Sequence, residues 1–388
     1  MPINKKTFCV APWYSVFIDS DKKMAPCCKY GGKINADSLE EYFFTDEMQN
    51  LRNDLLNGIQ NKNCSSCWMD EQNGGDSLRL ISNRTIALGK KIDLNAQIKD
   101  PKLSNIISFD LTLGNLCNLK CVMCSPRLSS QLLAEANANS DLKAIYNENM
   151  VYNQASFDWP KNEDFVNWCK EYLPQAIHIK FTGGEPFIIP WIDEVIDHIP
   201  DQQKSQCILH FTSNLTVINE KLLAKFKSFK EVWISVSVEG IGDTFEYLRK
   251  GHEWKKLIKN IKDIQSMRIP NLILKVNHVV QAPSFHSIMP MAHFFDLEEI
   301  SIHPILLSRP KHFTLQSLTE KCKQDFLEES RNYAGYNKEF IDYVRLVVEQ
   351  NLDQDTTMTQ KMIEHLSVLD RTRGNSHEKI IPSANLVK

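Results

Sequence analysis

Three cysteines fall within eight residues in "LGNLCNLKCVMCSP" (113–126): Cys117, Cys121 and Cys124, separated by three residues and then by two. Thiols this close together, among Asn and Lys, are poor core fillers and good metal ligands, because a thiolate is a soft anionic donor. A structural zinc needs a fourth ligand that this stretch lacks, and three thiolates plus water make an uncommon catalytic zinc set. An iron–sulfur cluster bound by only three cysteines keeps one iron with an open position. A second group lies upstream, where Cys9, Cys27, Cys28, Cys64 and Cys67 precede residue 70. Of the 11 cysteines only Cys169, Cys207 and Cys322 stand singly, as small core hydrophobes do.

Such a loop presents its thiols to one object only if rigid elements hold its ends. From about residue 105 the sequence alternates apolar strands with amphipathic helices: "NIISFDLTL", "AIHIKF", "CILHFT", "VWISVSV", "LILKVNHVV" and "EISIHPIL" read as six strands. Between them run stretches such as "WIDEVIDHI", "EKLLAKFKSF" and "WKKLIKNIKDIQSM". That order predicts right-handed parallel β/α units, and six of them give a partial (β/α)6 TIM-like barrel rather than a full eight. The cysteine loop then follows the first strand, on the face where β/α barrels assemble their sites. Gly114 and Asn115 permit the sharp exit.

Ahead of the barrel, "WYSVFID" and "KMAPCC" flank the polar "SDKK" and predict a hairpin within residues 1–36. Ser38 and Glu41 fit a capping box. Met48, Leu51, Leu55 and Leu56 share one helical face, ended by Gly58. "NKNCSSCWMDEQNGG" reads as a loop that brings Cys64 and Cys67 together. The expected organisation is α/β: a cysteine-rich domain over 1–75, a helical connector over 76–104, the partial barrel over 105–315, and a C-terminal helical extension over 316–388. In that extension "FLEESRNYAGYNKEFIDYVRLVVEQ" and "MTQKMIEHLSVLDRTR" read as two helices.

The chain has 388 residues, 42% hydrophobic and 24% charged, with a formal net charge of -3. That is an ordinary globular composition, with no basic excess for nucleic acid or a membrane surface. No apolar stretch reaches spanning length or resembles a signal peptide, so a reducing cytoplasm is expected, where clustered cysteines serve as ligands or catalytic groups rather than disulfides.

The C-x3-C-x2-C loop after a first barrel strand resembles the radical S-adenosylmethionine (radical SAM) superfamily. The resemblance implies that Cys117, Cys121 and Cys124 hold a [4Fe–4S] cluster whose open iron chelates SAM, and that a 5′-deoxyadenosyl radical abstracts hydrogen from substrate. The family's aromatic residue before the third cysteine is replaced by Met123. "FTGGEP" (181–186) follows the second strand and matches the family's Gly-Gly-Glu-Pro motif, which implies that Gly183, Gly184 and Glu185 engage the SAM amino group. Glycines let main-chain groups approach a ligand, and a carboxylate suits an ammonium. "HFTSNLT" ends the third strand, where Ser213 and Asn214 could reach the ribose; "ISVSVEG" ends the fourth and resembles the family's Ser-x-Asp-Gly pattern with Glu in place of Asp, which implies that Ser237 and Glu239 take the ribose hydroxyls or the methionine end. Arg249 is a candidate for the SAM carboxylate, with a solvated helix residue as the alternative. His278, Gln281 and Tyr247 are further candidates, although histidines on barrel strands commonly serve in packing.

The N-terminal cysteines resemble the SPASM extension in its shorter twitch form. Cys9, Cys27, Cys64 and Cys67 would then saturate an auxiliary [4Fe–4S] cluster, with Cys28 as the alternative to Cys27 and a tetrahedral zinc knuckle as the competing reading. The family's Asp-Gly turn is here Asp21-Lys22, which suggests a different turn. The implied activity is that of a radical SAM oxidoreductase. The auxiliary cluster would serve electron transfer in the oxidative modification or cross-linking of a peptide. Dehydrogenation or epimerisation of a small aminosugar-like metabolite is the alternative substrate reading. A flavodoxin or ferredoxin is the expected electron donor, with no nucleic-acid or membrane partner. A non-catalytic iron–sulfur or zinc-stabilised partner-binding module is the reading from another class; it would not need a three-thiolate site or Gly-Gly-Glu-Pro.

Overall fold

The computed structural model describes residues 6–72, 74–89, 94–146 and 157–385. Eight strands form one sheet in the order β2-β1-β3-β4-β5-β6-β7-β8. Their spans are β1 Ser15–Ile18, β2 Met24–Ala25, β3 Ser108–Thr112, β4 His178–Thr182, β5 Ile208–Ser213, β6 Glu231–Ser237, β7 Leu272–Val280 and β8 Ile302–Leu306. The last six are the strands expected from the sequence, separated by helices, as in the partial barrel. Among the described residues no helix is long and apolar enough to cross a membrane.

Backbone packing divides the chain into two units. One comprises Met1–Asn115, Asn153–Phe211 and Lys221–Val232; the other comprises Leu116–Tyr152, Thr212–Glu220 and Trp233–Lys388. In the first unit β3, β4 and β5 pair in parallel, with Phe109 beside Ile179 and Ile179 beside Leu209. Phe109, Leu111, Ile179, Phe181, Leu209 and Phe211 are fully buried. Alternating with them, Asp110, Lys180 and His210 occupy a second, half-buried face in matching register. That period of two explains why apolar and polar residues alternate in parallel strands that would read as continuous apolar runs if both faces packed.

The N-terminal hairpin departs from the expectation in two ways. It is not separate from the main sheet: β1 pairs with β3 in parallel, Ser15 beside Ser108 and Phe17 beside Asp110, while β2 pairs with β1 antiparallel. Its turn also keeps the left-handed conformation expected of Asp-Gly, now on Lys22 with φ 67. The Lys22 amide bonds the Asp19 carbonyl at 2.9 Å, and the Asp19 amide bonds the Lys23 carbonyl at 2.8 Å. These bonds hold a non-glycine residue where φ > 0 is costly.

Ser38 caps the helix Leu39–Phe44, accepting from the Glu41 amide, and the Glu41 carboxylate reaches back to the Asp37 amide at 2.8 Å. Helix Asp46–Leu56 buries Met48, Leu51 and Leu55 on one face. The stretch expected as a loop around Cys64 and Cys67 is instead a single turn, Lys62–Cys64, running into the helix Ser65–Gln72. Asn61 makes this possible: its Oδ1 accepts from the Asn63 amide and its carbonyl takes the Trp68 indole N–H at 3.0 Å. Residues 90–93 of the expected connector lie outside the described residues.

In the second unit, helix Trp254–Ser266 buries Leu257, Ile261 and Ile264 and turns its lysines outward, so the Lys-rich run is a solvated face. Among the described residues the C-terminal extension holds three α-helices rather than two: Glu320–Glu329, Lys338–Glu349 and Thr356–Arg373. The first expected helix breaks after Glu329, and the next starts at Lys338 beyond Gly335, where an added Cβ would lie 1.9 Å from the Asp296 carboxylate.

Candidate functional site

The cysteine loop belongs to the second unit, and its thiols sit together. Cys117 and Cys121 are buried and Cys124 half-buried, packed with Leu119 and Met123. The loop is tied to the strip after helix Gly242–Leu248 by two backbone bonds: Lys120 N–H to the Lys250 carbonyl at 3.0 Å and Val122 N–H to the Leu248 carbonyl at 2.8 Å. They flank Cys121 on one segment and Arg249 on the other. Gly251, with φ +106, lets the strip approach: a Cβ there would lie 3.2 Å from Leu119. The Ser129 hydroxyl donates to the Leu119 carbonyl at 2.7 Å, and the Ser130 hydroxyl to that of Cys117 at 3.1 Å.

Two side chains direct N–H groups at the sulfurs. The Asn214 amide donates to Cys117 Sγ at 3.9 Å and to Asn118 Oδ1 at 3.1 Å, while its own Oδ1 accepts from the Thr216 amide and hydroxyl. Arg249 Nη1 donates to Cys121 Sγ at 3.8 Å. Its Nε and Nη2 meet both oxygens of Glu239, the latter at 2.9 Å. Glu239 is fully buried and Arg249 nearly so, hence Arg249 is not a solvated helix residue. Three of its five N–H groups are engaged, two by Glu239 and one by a sulfur. Burial pushes the Cys121 thiol pKa up, and the Arg249 charge pulls it back. Burial, then the charges of Cys121 and Cys117, push the Cys124 thiol far up.

The remaining candidates of this unit are mostly engaged. Ser213 accepts from the Leu215 amide at 2.8 Å, and Ser237 ends β6 half-buried. His278 is fully buried with Nδ1 2.9 Å from the Val238 carbonyl, so that nitrogen carries the proton, and burial holds the ring neutral. Gln281 is also fully buried, and neither of its amide atoms has a partner among the described residues. Tyr247 donates to Asp370 at 3.0 Å.

In the first unit, "GGEP" follows β4 as expected. Gly183 and Gly184 have φ 68 and 55. Gly183 lies against β3, because an added Cβ would stand 2.0 Å from Thr112 Cγ2. Glu185 is buried, and its Oε1 caps the Phe187 amide at 3.0 Å.

The same unit gathers the N-terminal cysteines. The segment around Cys9 is bonded on both sides to the helix Leu78–Gly89: the Phe8 carbonyl takes Arg79 Nη1 at 2.7 Å and Asn83 Nδ2 at 2.9 Å, and the Val10 amide bonds Asn83 Oδ1 at 2.8 Å. The Gly31 amide reaches the Asn63 carbonyl at 2.7 Å, joining the Cys27 segment to the Cys64 turn. Burial, with a contribution from Cys64 and Cys67, pushes the Cys9 thiol up to about 12. Burial and Cys67 likewise push Cys64 up to about 12, while Arg79 opposes both. Cys27 is raised by burial, Cys28, Cys9 and Cys67. Cys28 faces elsewhere: the charges nearest it are Lys180 and Asp110, themselves 3.2 Å apart on β4 and β3. Cys9, Cys27, Cys64 and Cys67 thus act on one another electrostatically, while Cys28 acts on Cys27 and is itself acted on by Lys180 and Asp110. The sequence carried no sign of Arg79 or Asn83, since 70 and more residues separate them from Cys9.

Among the described residues no three Cys, His, Asp or Glu side chains converge on a single metal ion. Both groups are nevertheless all-thiol, with Cys67, Cys117 and Cys121 buried and Cys9, Cys27, Cys64 and Cys124 half-buried, and a cluster asks each thiolate to reach a different iron; these donors fit iron–sulfur clusters. Burial favours the protonated thiols, so metal binding has to displace those protons.

Comparison with known families matches residues 111–284 to the radical SAM superfamily and residues 9–68 to SPASM, an iron–sulfur cluster-binding domain. Comparison with curated proteins finds no match. Among solved structures, anSMEcpe with bound AdoMet and Cp18Cys peptide is 16% identical, with 57% of this chain and 58% of that chain covered and a TM-score of 0.37. Streptococcus suis SuiB bound to precursor peptide SuiA is 16% identical over 78% of this chain and 66% of that one, with a TM-score of 0.38. The chain thus spans less than two thirds of the length of either. The two domains imply SAM, the [4Fe–4S] cluster that binds it and an auxiliary iron–sulfur cluster as cofactors. Residues 111–284 belong to the radical SAM superfamily, and residues 9–68 to the SPASM family of iron–sulfur cluster-binding domains.

Proposed function

We propose that this chain is a radical SAM oxidoreductase that modifies or cross-links a peptide oxidatively, with a second cluster for electron transfer. The observation that carries this reading is the three-cysteine loop, pinned through Lys120 and Val122 and faced by N–H donors from Asn214 and Arg249. Bound cluster and SAM supply reductive cleavage of SAM and a 5′-deoxyadenosyl radical for hydrogen abstraction.

Cys117, Cys121 and Cys124 hold the first cluster, and the thioether of Met123 packs beside them. Gly183 and Gly184 open main-chain groups to the SAM amino group, with Glu185 as its anionic partner. Ser213 and Ser237 take ribose hydroxyls. Asn214, Glu239 and Arg249 act less as direct SAM contacts than as supports of the cysteine loop. Cys9, Cys27, Cys64 and Cys67 hold the auxiliary cluster, and the Arg79 charge favours the thiolate form of Cys9 and Cys64. The peptide preference, and a flavodoxin or ferredoxin as donor, rest on the resemblance to twitch-bearing proteins.

Anaerobically reconstituted protein should bind about eight irons, for two four-iron clusters. With dithionite and SAM it should release 5′-deoxyadenosine without substrate. Full iron loading with no SAM cleavage would leave only the partner-binding module. A peptide encoded beside this gene should lose two hydrogens on incubation; an aminosugar losing them instead would replace the peptide reading.

A further inference from the structure

Asn214 and Arg249 were candidates for SAM contacts, yet both point an N–H at a cysteine sulfur. At Arg249 the arrangement is built from both sides. The Lys120–Lys250 and Val122–Leu248 backbone bonds fix Arg249 opposite Cys121. The guanidinium is then oriented by Glu239, whose strand end is itself pinned: the Val238 amide bonds the Asn277 carbonyl at 3.0 Å, and His278 Nδ1 donates to the Val238 carbonyl at 2.9 Å. The turn that follows is tight, since a Cβ on Gly240 would lie 2.8 Å from Thr244 and 3.0 Å from Ser287. Five elements thus converge to hold one cation on one sulfur.

We infer that Arg249 is a positioning and charge-tuning residue for the SAM-binding cluster: held by Glu239, it donates an N–H···S hydrogen bond to Cys121 and raises the cluster's reduction potential. This rests on the reading of Cys117, Cys121 and Cys124 as cluster ligands. The chemistry is direct. Adding one electron makes the thiolate-ligated cluster more anionic, so a hydrogen-bonded cation at a ligand sulfur favours the reduced form, more so where water is excluded. Glu239 has two opposed effects: it orients the cation, and its own charge disfavours the electron.

The two partners therefore make distinguishable predictions. Arg249→Gln removes the cation and the N–H···S bond, and the ratio of reduced to oxidised cluster at a fixed poise should fall about tenfold, a shift of about 59 mV for a one-electron couple. Glu239→Gln leaves the cation uncompensated, and that ratio should rise. Arg249→Lys keeps the charge but loses the fork, so its shift should be in the direction of the Gln variant and smaller. The measurement is an EPR-monitored redox titration of the reconstituted full chain, with iron content determined on each sample. A purely structural role would loosen the site in both Arg249→Gln and Glu239→Gln, so shifts of the same sign, or none in either, would overturn the inference. Should neither variant hold its cluster, wild-type protein labelled with 15N-arginine decides. Pulsed EPR of the reduced cluster should show coupling to a guanidinium nitrogen, and its absence refutes the contact. Iron that is all lost in Cys27→Ala would lie only on the N-terminal cysteines and would instead defeat the ligand assignment.

Discussion

Gly183 offers a test in which the magnitude can be worked from the structure. Its φ of 68 lies in the left-handed region, where a side chain costs about 1–2 kcal/mol. A Cβ there would stand 2.0 Å from Thr112 Cγ2, far inside van der Waals contact, while Thr112 Cβ and Oγ1 lie at 3.2 and 3.3 Å. Overpacking of this kind costs about 1–3 kcal/mol, so Gly183→Ala should destabilise the loop by about 2–5 kcal/mol in all. The two components separate experimentally. Thr112→Ser removes the clashing methyl and keeps the hydroxyl, which lies 3.0 Å from the Thr182 hydroxyl. The double variant should recover the steric part and retain only the cost of left-handed backbone. Thermal unfolding reports stability, and calorimetric titration of SAM into anaerobically reconstituted protein reports the site. Each 1.4 kcal/mol lost from binding is tenfold in affinity, so Gly183→Ala should bind SAM at least tenfold more weakly. Wild-type affinity and stability in Gly183→Ala, or no recovery with Thr112→Ser, would refute the reasoning.

Cys27→Ala should remove about four irons and leave the SAM-cleaving cluster in place, whereas Cys28→Ala should keep both clusters; iron analysis that finds the reverse would exchange their roles. His365 is buried beside His312, with Nδ1 3.0 Å from His312 Nε2, and burial with the nearby charges of His312 and Arg373 lowers its pKa to about 3. The unfolded chain titrates near 6.5, so the folded state binds fewer protons between those values. Stability is therefore full above pH 6.5 and falls as the pH drops toward 3, by about 1.4 kcal/mol per unit of pKa difference. Denaturation curves at pH 7 and pH 5 should show the loss, and His365→Gln should flatten it.

Much of the fold was legible because its signals are local. Phe109, Leu111, Ile179 and Phe181 alternate with polar residues, and Leu257, Ile261 and Ile264 recur at helical spacing; both patterns need only a few consecutive residues. The helix Ser65–Gln72 was missed because its sequence is polar, and its start depends on Asn61 and on the packing of Trp68. The break after Glu329 was missed because it depends on Asp296, far away in the chain, which takes the Tyr333 hydroxyl at 2.5 Å and the Asn337 amide at 2.9 Å. The parallel pairing of β1 with β3 joins residues about 90 positions apart, and no local pattern encodes such a partner.

By itself the sequence determined which residues are candidates for chemistry. The two cysteine groups and the Gly-Gly-Glu-Pro stretch declare themselves through type and spacing, and six strands in order place two of these at strand ends. Only the tertiary structure decided orientation. Cys27 and Cys28 are adjacent and chemically identical, yet Cys27 has Cys9 and Cys67 as well as Cys28 among the groups that act on it, whereas Cys28 has Lys180 and Asp110. Arg249 and Cys121 are 128 residues apart, and their contact exists because two backbone bonds and a buried carboxylate bring a cation to a sulfur. Spacing along a chain reports what a short segment can ligate; which way a side chain turns is settled by partners distant in sequence, whose burial makes any other orientation costly.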